Sequence, residues 1–413
     1  MINDISEIIS ENPTQEVWKL LRFFKDENYC MKYHSRHPKT TEESGKNQKK
    51  NIKKQAKQIA YCIRQAEEYF KASAQVGLAT RPNLLYYGAV SLSNALILLK
   101  KDGKFSLDFR RQSDTHQHHG LELVKRFNEM NKVKNDNKGN IGIENFFELL
   151  ECKCHINKDS KKPWGNFPLF YESLEPRAVV VNGDFSETDQ AARGIIKVVI
   201  NGSNLLPVDG FIEKKINTLD ILRALPDMYF QLKQFDIQPN LCPGNIYGNI
   251  THSYSMDEQG ERVFIEAIDS YNFSIDFIPA TLKEKFINLY KQSHIPITLI
   301  HELKANLLFN MTANFGEKKL ERIFNDPGVV DDINGQIFYI SNPNEYLPEP
   351  AAYMILLFNL GMLCRYYPDV WLEIIDNNVP IAEITDSLLN IVYRKFPNLI
   401  LDLMTNTKHH IHS

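Results

Sequence analysis

The feature that most limits the fold is an uncharged segment in the first quarter of the chain. No charged residue lies between Arg81 and Lys100, and Thr80 followed by Pro82 is typical of a helix cap and first turn. A helix without a charged face has to be surrounded by other elements of the protein. Residues 353–364 form a second uncharged, apolar segment. Because each segment needs partners, we expect the two to share one hydrophobic core.

Composition and length are those of an ordinary soluble protein. The 413 residues include 48 Lys and Arg against 51 Asp and Glu, and the net charge of −3 excludes a strongly basic coat protein. A helix that spans a bilayer needs about 20 apolar residues, which neither segment supplies without interruption. Six scattered cysteines and a polar, acidic start favour a cytoplasmic protein with reduced thiols, no signal peptide and no membrane partner.

Helical periodicity dominates the N-terminal part of the chain. Apolar residues recur at steps of three and four across residues 52–74, which predicts a helix with one buried face. A short link around Gly77 joins it to the uncharged helix, so we expect an antiparallel helical hairpin. The sequence predicts further helices at residues 13–33, 121–130 and 143–150.

The pattern changes to β-branched runs beyond about residue 176, at 178–181, 195–200, 263–268 and 273–278. Asn182-Gly183 and Asn201-Gly202 are turn signals, and the second closes a strand. The predicted fold class is therefore α+β, mainly helical. Helical units at residues 1–160 and 281–413, the second packing on the first, surround a smaller antiparallel β-containing middle at residues 161–280. The other predicted elements are a strand at 336–340 and helices at 218–233, 282–290, 298–311, 349–366, 369–375, 381–395 and 397–404.

Several segments resemble the YaaC-like family of bacterial proteins. The C-terminal ones are residues 353–371, YMILLFNLGMLCRYYPDVW, and residues 393–401, YRKFPNLIL. The N-terminal ones are residues 65–70, QAEEYF, residues 81–88, RPNLLYYG, and His119-Gly120-Leu121. The resemblance implies a bacterial, cytosolic, mostly helical protein, and it brings no catalytic assignment.

The paired N-terminal helices also resemble the core of the HEPN superfamily, many of whose members cut RNA or neutralise toxins in stress and phage defence. The run RRQSDTHQHH at residues 110–119 is similar to their motif, an Arg and a His separated by four to six residues. Arg111 with His116 has this spacing, as do Arg110 with His116 and Arg111 with His118.

The chemistry of such a pair is plausible for cleavage of RNA. A guanidinium holds the scissile phosphate, and an imidazole moves the proton of the 2′-hydroxyl. His119 fits the YaaC-like pattern best, although its gap from Arg111 is too long. The candidate catalytic residues are therefore Arg111, His116 and His119. The alternative is a solvated polar loop, because a chain with 12 histidines matches so short a motif about once by chance.

A lysine-rich face is the second candidate site. Residues 46–57 carry no acid, and the next acidic residue is Glu67. This face can bind phosphate groups, although the alternative is a solvated helix surface and the net charge of −3 weakens any broad affinity for nucleic acid. The candidate nucleic-acid-binding residues are Lys49, Lys50, Lys53, Lys54 and Lys57.

Two functional hypotheses follow from these features. The first is a non-catalytic interaction or sensor protein, in bacterial stress or phage defence, that binds RNA, a nucleotide or a defence-system protein. The alternative is a metal-independent HEPN-type ribonuclease. No cofactor is expected, since the chain lacks a Walker loop and a Rossmann fingerprint. The cluster of Cys152, Cys154 and His155 lacks the second ligand pair of a zinc site, so no metal is expected. The sequence leaves open whether the protein forms a homodimer.

Overall fold

The computed structural model describes residues 4–34, 46–112, 118–124, 142–175, 178–187, 193–201, 210, 214–256, 262–275, 297–302, 307–312, 329–340 and 347–412. The chain forms two compact units. The β unit comprises Met1–Asn3, Pro176–Leu205 and Pro239–Tyr346, and the helical unit comprises Asp4–Glu175, Leu206–Gln238 and Leu347–Ser413. The helical unit therefore combines segments from the N-terminal half, the middle and the C-terminal part of the chain.

Helices of the described residues all belong to the helical unit. They are α1 (Pro13–Arg22), α2 (Glu27–His34), α3 (Lys46–Ser73), α4 (Arg81–Lys100), α5 (Leu107–Gln112), α6 (Ile143–Leu149), α7 (Asn166–Tyr171), α8 (Thr218–Ala224), α9 (Tyr229–Gln234), α10 (Glu349–Tyr366), α11 (Pro368–Asn377) and α12 (Val379–Thr405). Short 3₁₀ turns lie at Phe23–Lys25, Gly103–Phe105 and Pro226–Met228.

Strands occur in both units. They are β1 (Asp4–Ile9), β2 (Leu121–Leu123), β3 (Glu151–Cys154), β4 (Ala178–Glu187), β5 (Arg193–Asn201), β6 (Lys215–Asn217), β7 (Leu241–Met256), β8 (Arg262–Ile275), β9 (Ile297–Glu302), β10 (Leu307–Thr312), β11 (Val329–Asp331), β12 (Ile337–Ile340) and β13 (Thr407–His412). The predicted fold class, α+β and mainly helical with antiparallel sheets, is confirmed.

Sheet pairing is different in the two units. In the helical unit, β1 pairs in parallel with β13, and β2, β3 and β6 form an antiparallel sheet. In the β unit, the strands follow the order β11, β12, β7, β8, β10, β9, and neighbours along this path run antiparallel. Strand β4 joins this sheet in parallel with β7 and pairs with β5 on its other side.

The uncharged helix α4 is the centre of the helical unit. It packs against α3 and also against α10 and α12 from the other end of the chain. Most of its residues from Leu85 to Lys100 are buried, which explains why it carries no charged face. By length and composition, α4 is the one described helix that could cross a membrane, but most of it is buried inside the protein, as in a core helix.

Close packing of α3 on α4 depends on Gly88. A Cβ atom at this position would lie 2.7 Å from the ring of Phe70, closer than carbon atoms approach. We expect Gly88→Val to lower the free energy of unfolding by about 1–3 kcal/mol, because the buried ring has to shift. Chemical denaturation measures the change. Gly77→Val is the control, since no atom lies within 4 Å of a Cβ there, and an equal loss in both variants would contradict this account.

The structure corrects several predicted elements. Residues 121–123 form strand β2 instead of a helix, because Gly120 has a φ of 83° and turns the chain onto β3. The described residues within 298–311 belong to the antiparallel strands β9 and β10 instead of a helix. Asn182-Gly183 lies inside β4 and makes no turn, since β4 pairs with β5 across it. The helix predicted at residues 282–290 lies outside the described residues.

Other differences concern where elements are interrupted. The helix predicted at 13–33 is divided by the 3₁₀ turn at Phe23–Lys25, and the one at 218–233 is divided at Pro226–Met228. The two strands predicted at 263–278 form a single strand, β8, over the described residues. Conversely, α12 continues through Pro397, where we predicted a break.

Candidate nucleic-acid interface

The lysine-rich face lines a groove of about 930 Å³ in the helical unit. Helix α3 forms one wall, and the joint between α1 and α2 contributes to the other. Within the described residues, the lining includes six cationic side chains against one acidic side chain, that of Glu27. The cationic residues are Lys25, Lys50, Lys53, Lys54, Lys57 and Arg64.

Three cations of α3 recur at a spacing of seven residues, at Lys50, Lys57 and Arg64, all of them exposed. Seven residues are close to two helical turns and span about 10 Å, so the three charges lie on one face along about 21 Å. The ring of Tyr61 lies between Lys57 and Arg64 on the same face and is 56% exposed. The groove therefore combines a row of charges with an exposed aromatic surface.

The cations of the groove are not equivalent. Lys54 Nζ lies 2.8 Å from a carboxylate oxygen of Asp108, and Lys53 Nζ lies 3.6 Å from one of Glu27. In contrast, Lys50, Lys57 and Arg64 form no ion pair with any described residue. These three charges are the ones available to an anionic ligand.

Glu67 holds the groove's third paired cation, Lys25, and lies where α1 meets α3. Its carboxylate accepts hydrogen bonds from Arg22 and Lys25 and forms an ion pair with Lys71, all at 2.7–3.0 Å. Burial alone would raise the pKa of Glu67, but the three cations outweigh this effect and lower the pKa to about 2. The acid that ends the lysine-rich run in the sequence is therefore neutralised by its neighbours.

Helix α5 carries the arginines of the Arg/His run and is fixed to α3. Asp108 binds Lys54 and Gln58, and the hydrogen bond from Lys54 keeps the pKa of this carboxyl well below its usual range. Arg111 is exposed at the end of α5. Arg110 is 1% exposed and donates hydrogen bonds to Asn94 and Asn166, so it is held inside the protein.

The structure describes two histidines of the Arg/His run, His118 and His119. His116 lies outside the described residues. His119 is half-buried, and its Nδ1 lies 2.9 Å from the hydroxyl of Tyr86. His118 stacks on the ring of His155, with centroids 5.1 Å apart. The structure thus does not bring His119 to Arg111 through any described contact, and the Arg111–His116 pair stays a prediction.

Comparison with known proteins gives one family. A family model described as YaaC-like protein matches residues 22–404, which is nearly the whole chain. The chain belongs to the YaaC-like family. No curated protein and no solved structure matches it. The YaaC-like relationship therefore places the chain among its relatives without assigning a chemistry.

The sequence of this YaaC-like protein predicted only some of the residues that line the groove. Lys50, Lys53, Lys54 and Lys57 line it as a group, whereas Lys49 lies in α3 but its side chain is outside the part of the chain described. Sequence reasoning missed Lys25 and the exposed ring of Tyr61. The helical spacing of Tyr61 from Lys57 could have indicated that this tyrosine lies on the lysine-rich face, but only the fold brings Lys25 to α3.

The cysteine-rich strand β3 has no clear role in the groove. Cys152 and Cys154 are both buried, and burial raises the pKa of the Cys154 thiol to about 12. His155 Nδ1 pairs with a carboxylate oxygen of Glu122. Across the described residues, no group of three or more His, Cys, Asp or Glu side chains is arranged to hold a metal ion.

Proposed function

We propose that this YaaC-like protein is a cytoplasmic, non-catalytic binding protein whose groove holds the phosphate backbone of single-stranded RNA. The observation that carries the proposal is the row of three exposed cations, Lys50, Lys57 and Arg64, on one wall of a groove of about 930 Å³. A row of about 21 Å exceeds one phosphate group, which favours a chain of phosphates over a single small anion.

The aromatic ring in the groove supports an unpaired strand over a duplex. Proteins that bind single strands combine a cationic groove with aromatic side chains on which bases stack. Tyr61 lies between Lys57 and Arg64 on the groove wall, and its exposed ring supports this proposal. Bases within a duplex are already stacked on each other, so an exposed ring on the groove wall gains nothing from them.

The salt dependence of RNA binding tests the groove. We expect a fluorescein-labelled 12-nucleotide oligo(U) to bind, with log Kobs falling linearly as log salt concentration rises, because each phosphate contact releases a counterion. In Lys50→Gln/Lys57→Gln/Arg64→Gln, the slope should flatten by about two units, at about 0.7 per contact, and the affinity at low salt should fall at least tenfold. Fluorescence anisotropy at several salt concentrations gives both quantities.

The matched control removes the same charge from another exposed surface. Lys158, Lys161 and Lys162 are exposed in the segment after β3, and Lys158→Gln/Lys161→Gln/Lys162→Gln should keep the wild-type slope. Equal effects of the two triple variants, or no binding of oligo(U) by the wild-type protein, would refute the groove as the RNA site. A 12-base-pair duplex that bound more tightly than oligo(U) would refute the role of Tyr61.

Three expectations from the sequence stay predictions. They are the setting in stress or phage defence, a protein partner or second copy of the chain, and the ribonuclease activity of Arg111 and His116. Cleavage of oligo(U) in the presence of EDTA by the wild-type protein, and its loss in His116→Ala, would replace the binding proposal with the ribonuclease.

A further inference from the structure

A second cluster of polar side chains lies at the end of α10. The guanidinium of Arg365 lies 5.5 Å from the ring centroid of Tyr87 and 5.0 Å from that of Tyr366, and it donates a hydrogen bond to the Tyr366 hydroxyl. Tyr87 in turn stacks on Tyr69, with centroids 5.8 Å apart. Arg365 is exposed and forms no ion pair with any described carboxylate. The tyrosine rings therefore position a cation whose charge is available to a ligand.

His119 joins this cluster through Tyr86, whose ring lies 5.7 Å from that of Tyr87 and whose hydroxyl contacts one ring nitrogen of the histidine. Tyr86 is buried, and burial raises the pKa of its phenol, so the hydroxyl stays protonated. The hydroxyl oxygen lies 2.9 Å from His119 Nδ1, and it donates to this nitrogen in the tautomer whose Nδ1 is unprotonated. In the neutral imidazole the proton is then on Nε2. This second nitrogen makes no hydrogen bond with another described residue.

The two groups face the same side of α10. The rings of His119 and Tyr86 both contact Phe358, with centroids 6.1 and 5.9 Å apart. Phe358 and Arg365 are seven residues apart on α10 and therefore lie on one face. Burial lowers the pKa of His119, and the positive charge of Arg365 and the neighbouring His118 lower it further.

We propose that Arg365 and the Nε2–H of His119 together bind the phosphate of a mononucleotide, whose base stacks on Tyr366. A guanidinium presents paired donors that fit the oxygens of a phosphate, and the imidazole N–H supplies a third donor from the adjacent surface. One guanidinium and one imidazole hold a single phosphate, unlike the row of charges in the groove. The exposed ring of Tyr366, 56% accessible, offers a stacking surface for a base.

This site is independent of the groove and of the proposed RNA binding. Its residues come from α4, α10 and the segment before β2, whereas the groove is formed by α3 and the α1–α2 joint. It also pairs His119 with an arginine more than 200 residues away, instead of with Arg111. The role given to His119 is to bind and orient a phosphate; no bond is made or broken.

Calorimetry with three probes tests the proposal on the full-length protein. AMP should bind more tightly than ribose 5-phosphate, and ribose 5-phosphate about as tightly as inorganic phosphate, because only AMP has a base to stack. Arg365→Gln should weaken all three at least tenfold, since it removes the charge and the paired donors. Tyr366→Leu should weaken AMP several-fold and leave inorganic phosphate unchanged. Arg365→Lys, which keeps the charge without the planar donors, should be intermediate.

NMR of the His119 ring supplies a readout that a structural role would not change. AMP should raise the pKa of His119 in the wild-type protein, because a bound anion offsets the charge of Arg365, and it should leave the ring signal of Arg365→Gln unchanged. The groove variant Lys50→Gln/Lys57→Gln/Arg64→Gln should bind AMP as the wild-type protein does. Equal AMP affinity in wild type and Arg365→Gln, or no response of His119 to saturating AMP, would overturn the proposal. Equal affinities for AMP and inorganic phosphate would overturn the stacking role of Tyr366.

Discussion

Replacing Lys395 by methionine should be among the most destabilising single changes in the protein. In the wild-type structure, Lys395 Nζ binds Asp227 Oδ2 and lies 2.8 Å from Glu349 Oε1. The carboxylate side chains are 1% and 0% exposed. The variant leaves two buried carboxylates without their shared cation, and breaking a buried pair in this way typically costs about 3–5 kcal/mol. Chemical denaturation at neutral pH measures the loss.

A rescue variant separates lost charge from lost packing. Lys395→Met/Asp227→Asn/Glu349→Gln removes the buried charges together, and we expect it to recover most of the loss, since uncharged groups of similar shape are tolerated better. The control is Lys153→Met, which removes a cation 3.3 Å from Glu122 in a pair that is 48% and 40% exposed. This exposed pair should contribute no more than about 1 kcal/mol. A comparable loss in Lys153→Met, or no rescue, would contradict the explanation.

This cluster also shows why a sequence leaves such features unseen. Asp227 lies within the 3₁₀ turn at Pro226–Met228, Glu349 begins α10 and Lys395 lies inside α12, so more than 100 residues separate the first from the others. The hydroxyl of Tyr353 reaches both carboxylates at 3.3 Å. Nothing in the local sequence distinguishes a buried lysine from a solvated one. The partners are defined by tertiary packing alone.

The local spacing of apolar residues, by contrast, was enough to predict several of the helices. The uncharged run between Arg81 and Lys100 indicated a helix buried on most sides, and α4 is one. The predicted hairpin of residues 52–74 and 80–100 corresponds to α3 and α4, which pack closely. These elements depend on hydrophobic spacing over many turns, which is the strongest signal in a sequence.

The failures fall where a short apolar run fits both helix and strand. Residues 298–311 have apolar positions at helical steps, yet β9 and β10 pair across residues 299 and 309. A strand gains most of its stability from its neighbours, so its existence depends on β8 on the other side of β10. Proline was equally misleading, since α12 passes through Pro397.

The residues of the candidate sites also differ in whether local spacing could predict them. The lysine stripe of α3 followed from helical spacing, but the groove needs Lys25 from the α1–α2 joint. For His119, the sequence suggested a partner nearby in the chain, Arg111, whereas the structure places it against Tyr86 and Phe358. Long-range contacts of single polar residues leave no periodic trace, so these pairings required the fold.

Glu67→Gln should lower stability at neutral pH and make it less dependent on acid. The pKa of Glu67 is about 2 in the folded protein against an ordinary value of 4.5, so the folded state favours the ionised carboxylate. Its contribution is therefore fully present above about pH 4.5 and is lost as the pH falls toward 2. We expect a loss of about 1–3 kcal/mol at pH 7, toward the lower end because Arg22 and Lys71 are 46% and 67% exposed.

The pH profile distinguishes this mechanism from a simple loss of packing. The free energies of unfolding of wild type and Glu67→Gln should converge as the pH falls from about 4.5 to about 2, because protonation removes the same charge that the substitution removes. Glu16→Gln is the control, since its carboxylate pairs only with Lys19 among the described residues, 63% exposed, and the variant should follow the wild-type profile closely. A constant difference between Glu67→Gln and wild type across this range would show that shape, rather than charge, accounts for the loss. Because Glu67 also binds Lys25 at the groove, convergence would mean that the contact between the α1–α2 joint and α3 stabilises the fold through charge.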